Sequence, residues 1–148
     1  MPHPIPPFLE GQITLHAYER WLARKAAAHL KRDRKRGYEN ITAATYRDSI
    51  HEAVIRSNGN DTYTGEALEW QRISQYNNED SKCGRHAYKA KFALLPTVDH
   101  IESAELTSGL CICSWRTNDA KNDLSHKSFL ELCRQVLEYA GYPVTKDA

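Results

Sequence analysis

Three side chains in the second half of the chain could do chemistry together. Asp99 and His100 are adjacent, and Asn118 follows 18 residues after the histidine. Carboxylate and carboxamide oxygens are hard ligands that suit Mg²⁺ or Mn²⁺, and two protein ligands leave room for water and phosphate oxygens. An imidazole that titrates near neutral pH can act as a general base toward water. These residue types together fit metal-assisted attack of water on a phosphorus centre.

The elements around these residues could bring them to one place. Residues 92–101, FALLPTVDHI, form an apolar run that ends near the Asp-His pair, and residues 110–115, LCICSW, form a second short apolar run. Both runs are typical of strands, and the largely polar stretch between them, with Gly109, is typical of a hairpin connection. A polar helix start is predicted at Thr117. The hairpin would return that helix start, with Asn118, to the end of the first strand.

Helix-capping residues predict two helices in the first half of the chain. Thr14 can cap a helix that runs to about Arg36, where Gly37 stops it. Thr42 can cap a second helix that runs to about Ser57. The chain therefore begins with helical segments and continues into the strands.

The remaining segments are less regular. The proline-rich residues 1–13 are expected to form an extended arm, and residues 62–76 could be a short strand or a short helix. Residues 77–91 are polar and basic and are predicted to be a loop. Ser125 is expected to cap a last helix that runs through Tyr139.

The composition is that of an ordinary soluble globular protein with one core. The chain has 148 residues, of which 41% are hydrophobic and 26% are charged. No apolar run approaches the roughly 18 residues that a membrane span needs. The N-terminus lacks the charged and apolar regions of a secretory signal, so a cytoplasmic location is expected.

The cysteines do not have the spacing of a zinc site. None of the four forms a Cys-x-x-Cys pair, and a disulfide framework is not expected without an export signal. Cys111 and Cys113 lie in an apolar run, and Cys133 lies on the predicted last helix between Leu130 and Leu137. Buried free thiols are therefore the favoured interpretation for these three cysteines.

The net charge is small, but it is unevenly distributed. The formal net charge is +1. Residues 20–36 hold eight basic side chains and one acidic side chain, which gives +7, whereas residues 37–81 hold three basic and eight acidic ones, which gives −5. Such a basic stretch can neutralise phosphates, although a basic helix face is more often only solvated. The candidate nucleic-acid contacts in it are Arg32, Arg34, Lys35 and Arg36.

The motifs in the second half resemble a known family. PTVDHI (96–101) followed by LCICSWRTNDAKNDLSHKSFLELCR (110–134) resembles the HNH endonuclease pattern. In that pattern an Asp-His pair ends the first strand, an apolar second strand follows, and a helix then begins with Asn-x-x-Lys. YTGEALEW (63–70) resembles the turn that precedes the first strand in many members.

The resemblance implies a fold and a division of the chain. It covers roughly residues 59–140, whereas residues 1–58 match no pattern in that family. It implies an α+β protein in which N-terminal helices pack on a C-terminal ββα-metal (HNH) nuclease core. The corresponding division is an N-terminal arm with two helices over 1–58 and a nuclease domain over 59–148.

The resemblance also implies roles for individual residues. Asp99 and Asn118 would be metal ligands, and His100 would be the general base. Lys121 would face the phosphate or hold the helix start, and Asn122 is a weaker candidate ligand. The implied cofactor is one divalent ion, Mg²⁺ or Mn²⁺.

Arg116 comes immediately before the predicted helix start and is a candidate phosphate clamp. The sequence departs from the family pattern in two respects. Thr64 and Gly65 stand where a Cys-Gly of a structural zinc site would be expected, so no structural zinc is predicted. Packing by Trp70, Trp115 and the N-terminal helices would then hold the fold. The Asn that is usual in the loop between the strands is not evident in residues 102–109.

Three functions remain open from the sequence. The first is a metal-dependent endonuclease that hydrolyses phosphodiester bonds in DNA. The second is a non-catalytic HNH-fold module that binds nucleic acid through the basic stretch. The third is a toxin or effector nuclease that acts on RNA. A single site of this kind cuts one strand per visit, so double-strand cleavage would require a homodimer or a second visit.

Overall fold

The chain forms an α+β arrangement of helices and a small antiparallel sheet. The computed structural model describes residues 3–38, 40–75, 90–101 and 109–147. Within them the elements, in chain order, are α1 (Leu15–Lys35), α2 (Ala43–Ser57), β1 (Pro96–His100), β2 (Leu110–Ser114), α3 (Trp115–Lys121) and α4 (His126–Tyr139). β1 and β2 pair antiparallel. The prediction of a mixed α+β fold is therefore confirmed.

The two N-terminal helices begin at the predicted caps. The Thr14 hydroxyl oxygen accepts a hydrogen bond of 3.1 Å from the Ala17 N–H, and Thr42 accepts one of 3.2 Å from the Thr45 N–H. Each cap satisfies one of the donors that the first turn of a helix leaves free. Gly37, with φ of +94°, follows the end of α1 in the left-handed region that glycine adopts easily. These helix predictions are confirmed.

The hydrophobic core joins the N-terminal helices to the β-hairpin. The fully buried stripe Tyr46, Ile50 and Val54 of α2 belongs to the same cluster as Val98 of β1 and Ile112 of β2. The helices therefore cover one face of the hairpin and fix its position.

The two tryptophans named in the packing prediction lie in different environments. Trp70 is buried in the core and meets Trp21 edge to face, with ring centroids 5.2 Å apart. Trp115 is only half-buried. The N-terminal helices and Trp70 therefore supply the packing that was predicted, whereas Trp115 is not among the core residues.

The prediction of an extended N-terminal arm is wrong for part of that segment. Pro7–Leu9 form a 3₁₀ turn, and Leu9 is fully buried in the core. The ring of Phe8 lies 3.1 Å from the position that a Cβ on Gly59 would occupy. Phe8 and Leu9 therefore pack against the folded chain. The proline content alone did not predict this packing.

The segment before β1 contains little regular structure. Residues 62–75 contain a 3₁₀ turn at Trp70–Arg72, and Ala67 forms an isolated antiparallel bridge with Asn60. The loop predicted at 77–91 falls outside the described residues except for its last two, which are helical, and residues 102–108 of the hairpin connection also fall outside them.

Each of the two C-terminal helices begins after a serine cap. α3 begins at Trp115 rather than at Thr117, because Ser114 is its cap and accepts a hydrogen bond of 3.0 Å from the Thr117 N–H. α4 begins after Ser125, as predicted, with a cap bond of 3.1 Å from the Ser128 N–H. The predicted helices are confirmed, with the first one starting two residues earlier.

The prediction that Cys133 is buried is wrong. Cys111 and Cys113 are buried in β2, but Cys133 is exposed on α4. None of the described residues of α4 is buried. The rings of His126 and Phe129, in its first turn, lie 5.1 and 5.9 Å from the ring of Tyr63. Among the described residues, no helix is long and apolar enough to cross a membrane.

Candidate functional site

The end of β1 opens into a cavity of about 460 Å³ between α1 and α3. Asp99 and His100 are the last residues of β1, and Asn118 lies on α3. The lining of this cavity includes all five residues predicted as metal ligands or catalytic groups: Asp99, His100, Asn118, Lys121 and Asn122. Thr97 and Val98, earlier in the same strand, also line this cavity, so β1 forms one of its walls.

Asp99 is held by an ammonium and a phenol. Its Oδ2 atom accepts a hydrogen bond of 2.8 Å from the Tyr63 hydroxyl, and the Lys121 Nζ atom lies 3.0 Å from the same oxygen. The Lys121 side chain is only 3% exposed, and its Nζ atom also donates to the backbone oxygen of His100 at 3.3 Å. Lys121 is the last residue of α3, so it ties the end of that helix, and not its start, to the end of β1. Its predicted contact with a phosphate stays a prediction.

Tyr63 belongs to this site although the sequence did not single it out. Burial raises the pKa of Tyr63, and the neighbouring Cys111 and Asp99 raise it further. The phenol therefore stays protonated and remains a hydrogen-bond donor to Asp99. The available signal was its position in the YTGEALEW segment, where it had no assigned role.

His100 is held from the other side by α1. The Arg32 Nη2 atom lies 2.7 Å from the His100 Nδ1 atom, and the same nitrogen lies 3.0 Å from the His29 Nδ1 atom. The two imidazole rings are 5.2 Å apart. Burial lowers the pKa of His29 to about 3, with further contributions from Arg32 and His100. His29 is therefore neutral and serves as an acceptor.

Lys25 adds a fourth basic group at the same wall of the cavity. Its Nζ atom donates to the Thr97 hydroxyl oxygen at 3.1 Å. Burial, together with the neighbouring Arg24, lowers the pKa of Lys25 to about 8. Lys25 therefore loses its proton at a lower pH than an exposed lysine does. Its contact with Thr97 places it beside β1.

The structure divides the basic stretch into two faces. Lys25, Arg32 and Arg36 line the cavity at the end of β1, and this spacing of seven and four residues places them on one side of a helix. Arg34 and Lys35 line a different cavity. Of the four candidate contacts on α1, two therefore lie at the site.

Arg116 also lies apart from the site. It is exposed, does not line the cavity, and forms an ion pair with Glu66. A phosphate would have to compete with that carboxylate for the guanidinium. The structure thus places Arg116 on the outer side of α3.

Asp61 organises the segment in which the related pattern has a cysteine pair. Its Oδ1 atom accepts hydrogen bonds from the backbone of Tyr63 and Thr64 at 2.7 and 3.2 Å, and its Oδ2 atom accepts from the Ser114 N–H and the Thr117 hydroxyl, both at 2.9 Å. Burial opposes its ionisation, but these hydrogen bonds outweigh burial and lower the pKa of Asp61. The carboxylate thereby ties the turn that carries Tyr63 to the start of α3.

The donor set of the cavity fits a hard ion better than zinc. The lining residues with side-chain oxygens near α3 are Asp99, Asn118, Asp119, Asn122 and Asp123. Among the described residues, no three His, Cys, Asp or Glu side chains form a group that could hold a metal ion. A carboxylate with a carboxamide is a sparse set that suits Mg²⁺, which keeps several of its waters. Such an ion would share Asp99 with Lys121.

Asp61, Tyr63, Lys25 and His29 are thus site residues that sequence reasoning did not identify. Chemically, the cavity offers oxygen ligands from β1 and α3, the imidazoles of His29 and His100, and guanidinium and ammonium groups for an anion.

Comparison with known proteins adds no family to this description. No family model matches the chain, and no curated protein and no solved structure shows significant similarity to it. The resemblance to the HNH pattern therefore rests on the residues and their spacing.

Proposed function

We propose that this protein is a metal-dependent endonuclease of the HNH type that hydrolyses phosphodiester bonds in DNA. The observation that carries the proposal is that Asp99, His100 and Asn118 line one cavity together with cations of α1. A carboxylate, a carboxamide and an imidazole beside guanidinium groups match the requirements of phosphodiester hydrolysis.

The residues of the cavity have the following roles in this proposal. Asp99 and Asn118 hold one divalent ion, Mg²⁺ or Mn²⁺, with Asn122 as a further candidate ligand. When bound, that ion stabilises negative charge on the phosphate and the leaving oxygen. His100 accepts the proton of the attacking water. Lys121 orients the Asp99 carboxylate through their ion pair.

The cations of α1 bind the substrate in this proposal. Arg32, Arg36 and Lys25 face the cavity and would contact phosphates of the DNA backbone. Their contribution is sequence-independent and should weaken as salt rises, because phosphate binding releases counterions.

A non-catalytic nucleic-acid-binding module is the second candidate. The observation in its favour is that Asp99 is already neutralised by Lys121 and that His100 already accepts a hydrogen bond from Arg32. This alternative predicts salt-sensitive DNA binding without cleavage, and larger losses of binding from changes at Arg32 and Arg36 than from changes at His100.

A plasmid-nicking assay tests the endonuclease proposal. Supercoiled DNA is incubated with the wild type in Mg²⁺, Mn²⁺ or EDTA, beside His100→Ala and the control His16→Ala, which changes an exposed histidine of α1 away from the cavity. We expect cleavage only with metal, and a loss of about 100-fold or more for His100→Ala, since general base catalysis contributes about 10² to 10⁴. DNA binding should persist in both variants.

Equal cleavage by the wild type and His100→Ala would contradict the proposal, as would cleavage that survives EDTA. DNA binding without cleavage in any metal would favour the binding module. Parallel reactions with linear DNA and RNA separate a DNA nuclease from the RNA-directed alternative. A product that stays nicked indicates a single site that acts once per visit, whereas linear product from the first turnover would indicate a homodimer.

A further inference from the structure

Most arginines of α1 and its C-cap stand in one row on the helix surface. Positions 20, 24, 28, 32 and 36 are each four residues apart, and all of them except Ala28 are arginine. Side chains four residues apart lie one above the other on a helix, in a row that winds slowly around it. The members of this row, which we call the arginine row, are Arg20, Arg24, Arg32 and Arg36.

The arginine row connects two cavities. Arg32 and Arg36 line the cavity at the end of β1, where the proposed reaction takes place. Arg20 and Arg24 line a second cavity of about 540 Å³, together with residues 73–74. The row therefore runs along α1 from the proposed site to a cavity that has no role in the proposed function.

The two arginines at the second cavity have no carboxylate partner. Within the described part of the chain, no carboxylate forms an ion pair with Arg20 or Arg24, and no acidic side chain lines the cavity. Arginines of other elements are paired, as Arg116 is with Glu66. Two neighbouring guanidinium groups without a counter-ion create a positive potential that attracts an anion.

Arg24 is held against the wall of the second cavity. Its Nη2 atom donates a hydrogen bond of 3.3 Å to the backbone oxygen of Ile73. Partial burial, together with the positive charge of Arg20, lowers the pKa of Arg24. An anion in contact with both guanidinium groups would offset their mutual repulsion.

The length of the arginine row can be compared with the repeat of DNA. At a rise of about 1.5 Å per residue, Arg20 and Arg32 are about 18 Å apart along the axis of α1. One strand of a DNA duplex advances about 3.4 Å per nucleotide along its axis. A strand that follows the row would therefore cover the distance between these two arginines with about five nucleotides.

We propose that Arg20 and Arg24 form a second phosphate site, which binds the backbone of the substrate DNA about five nucleotides away from the phosphate at Arg32. The inference rests on the proposed function, because it assumes that a DNA phosphodiester occupies the cavity at the end of β1. Guanidinium groups bind phosphate oxygens well, since charge-assisted hydrogen bonds are the strong ones. Such contacts add affinity and position the DNA without selecting its sequence.

Salt-dependent binding tests the second site without any need for activity. Binding of a long, fluorescently labelled DNA duplex is measured in EDTA at several salt concentrations. The slope of log K against log[salt] becomes shallower by about 0.9 for each phosphate contact that is lost. Arg20→Ala and Arg24→Ala should each reduce the slope by about that amount, and the double variant by about twice as much.

Two further variants control for the loss of charge. Arg134→Ala removes an arginine of α4 that is paired with two glutamates of its own helix, and it should keep the wild-type slope. Arg34→Ala removes the same charge from a part of α1 that lines a different cavity, and it should also keep that slope. An equal reduction in Arg34→Ala would show that the total charge of α1 sets the binding, and would overturn the proposal. A wild-type slope in Arg20→Ala/Arg24→Ala would overturn it as well.

DNA hairpins of increasing stem length test the spacing. The affinity of the wild type should rise until a stem spans both cavities, whereas Arg20→Ala/Arg24→Ala should stop gaining affinity at stems about five base pairs shorter. If both proteins reach their highest affinity at the same stem length, the second site does not lie on the path of the DNA. RNA stems are measured beside them, and tighter binding of RNA would overturn the choice of DNA.

Folding and the proposed function are controlled separately. Thermal unfolding shows whether each variant is folded, and Arg20→Ala alone decides if Arg24→Ala is not, because no described residue forms a hydrogen bond with the exposed Arg20 side chain. A wild type that binds DNA but cuts it in no metal would refute the endonuclease proposal and leave the second site standing. Normal cleavage with an unchanged salt slope in Arg20→Ala would refute the second site alone.

Discussion

Asp99 and His100 are neighbours in sequence, but different parts of the molecule hold them. The partners of Asp99 are Tyr63 and Lys121, which lie within 36 residues of it in the chain. The His100 ring contacts Arg32, 68 residues earlier on α1. The first set belongs to the segment that resembles the HNH pattern, and the second belongs to the N-terminal helices, which do not.

The difference shows that the N-terminal helices are part of the candidate site. The hairpin with α3 supplies a carboxylate that is paired with an ammonium, whereas α1 and its C-cap supply the guanidinium beside the imidazole and most of the positive charge in the cavity. The segment from Asp61 to the end of α3 contains both named partners of Asp99 but does not contain Arg32.

The largest effect is expected on the Asp99 side, from Lys121→Met. The change leaves a nearly buried carboxylate without its ammonium, and breaking a buried ion pair costs about 3 to 5 kcal/mol. Urea unfolding monitored by circular dichroism measures the free energy of unfolding. Lys127→Met, which changes an exposed lysine of α4, is the matched control and should lose little.

The double variant Lys121→Met/Asp99→Asn sharpens this prediction. It removes both charges, so part of the lost stability should return. If Lys121→Met proves as stable as the control, the ion pair between Lys121 and Asp99 does not stabilise the end of β1. The surroundings of Asp99 and His100 would then not differ in their contribution to stability.

A smaller, pH-dependent effect is expected on the His100 side, from His29→Phe. The pKa of His29 is about 3 in the folded protein, below the value of about 6.5 in an unfolded chain. The unfolded state therefore binds more protons below about pH 6.5, so the wild type loses stability as the pH falls from there toward 3. His29→Phe should remove that part of the loss, up to about 2 kcal/mol between pH 7 and 5.

Urea unfolding at the two pH values measures this effect. The control is His16→Phe, an exposed histidine of the same helix, which should keep the pH dependence of the wild type. If the free energy of unfolding depends on pH in the same way in the wild type and in His29→Phe, then His29 is not buried in its neutral form.

The smallest effect is expected from Tyr63→Phe. The change removes one hydrogen bond of 2.8 Å to the Asp99 carboxylate but leaves Lys121 in place, so we expect a loss of about 1 kcal/mol in the free energy of unfolding. Tyr139→Phe, at a side chain that is 98% exposed, provides the baseline. A loss as large as that of Lys121→Met would mean that the phenol, and not the ammonium, is the main partner of Asp99.

Local patterns predicted much of the fold. Thr14, Thr42 and Ser125 were recognised as helix caps, and the apolar runs around residues 96–100 and 110–114 were recognised as strands. Sequence patterns did not predict which apolar side chains are buried by contacts with distant parts of the chain. Leu9 is buried and Cys133 is exposed, because burial depends on which elements meet and not on spacing within one element.

Short apolar runs and capping residues are local signals, so the sequence predicted that Asp99 and His100 lie at the end of a strand and that Asn118 follows a second strand in the first turn of a helix. The contact between Arg32 and His100, and the different position of Arg34 and Lys35 in the same basic stretch, depend on tertiary packing. A charge pattern gives the number of cations, but the rotation of a helix against its neighbours selects the ones that enter the site.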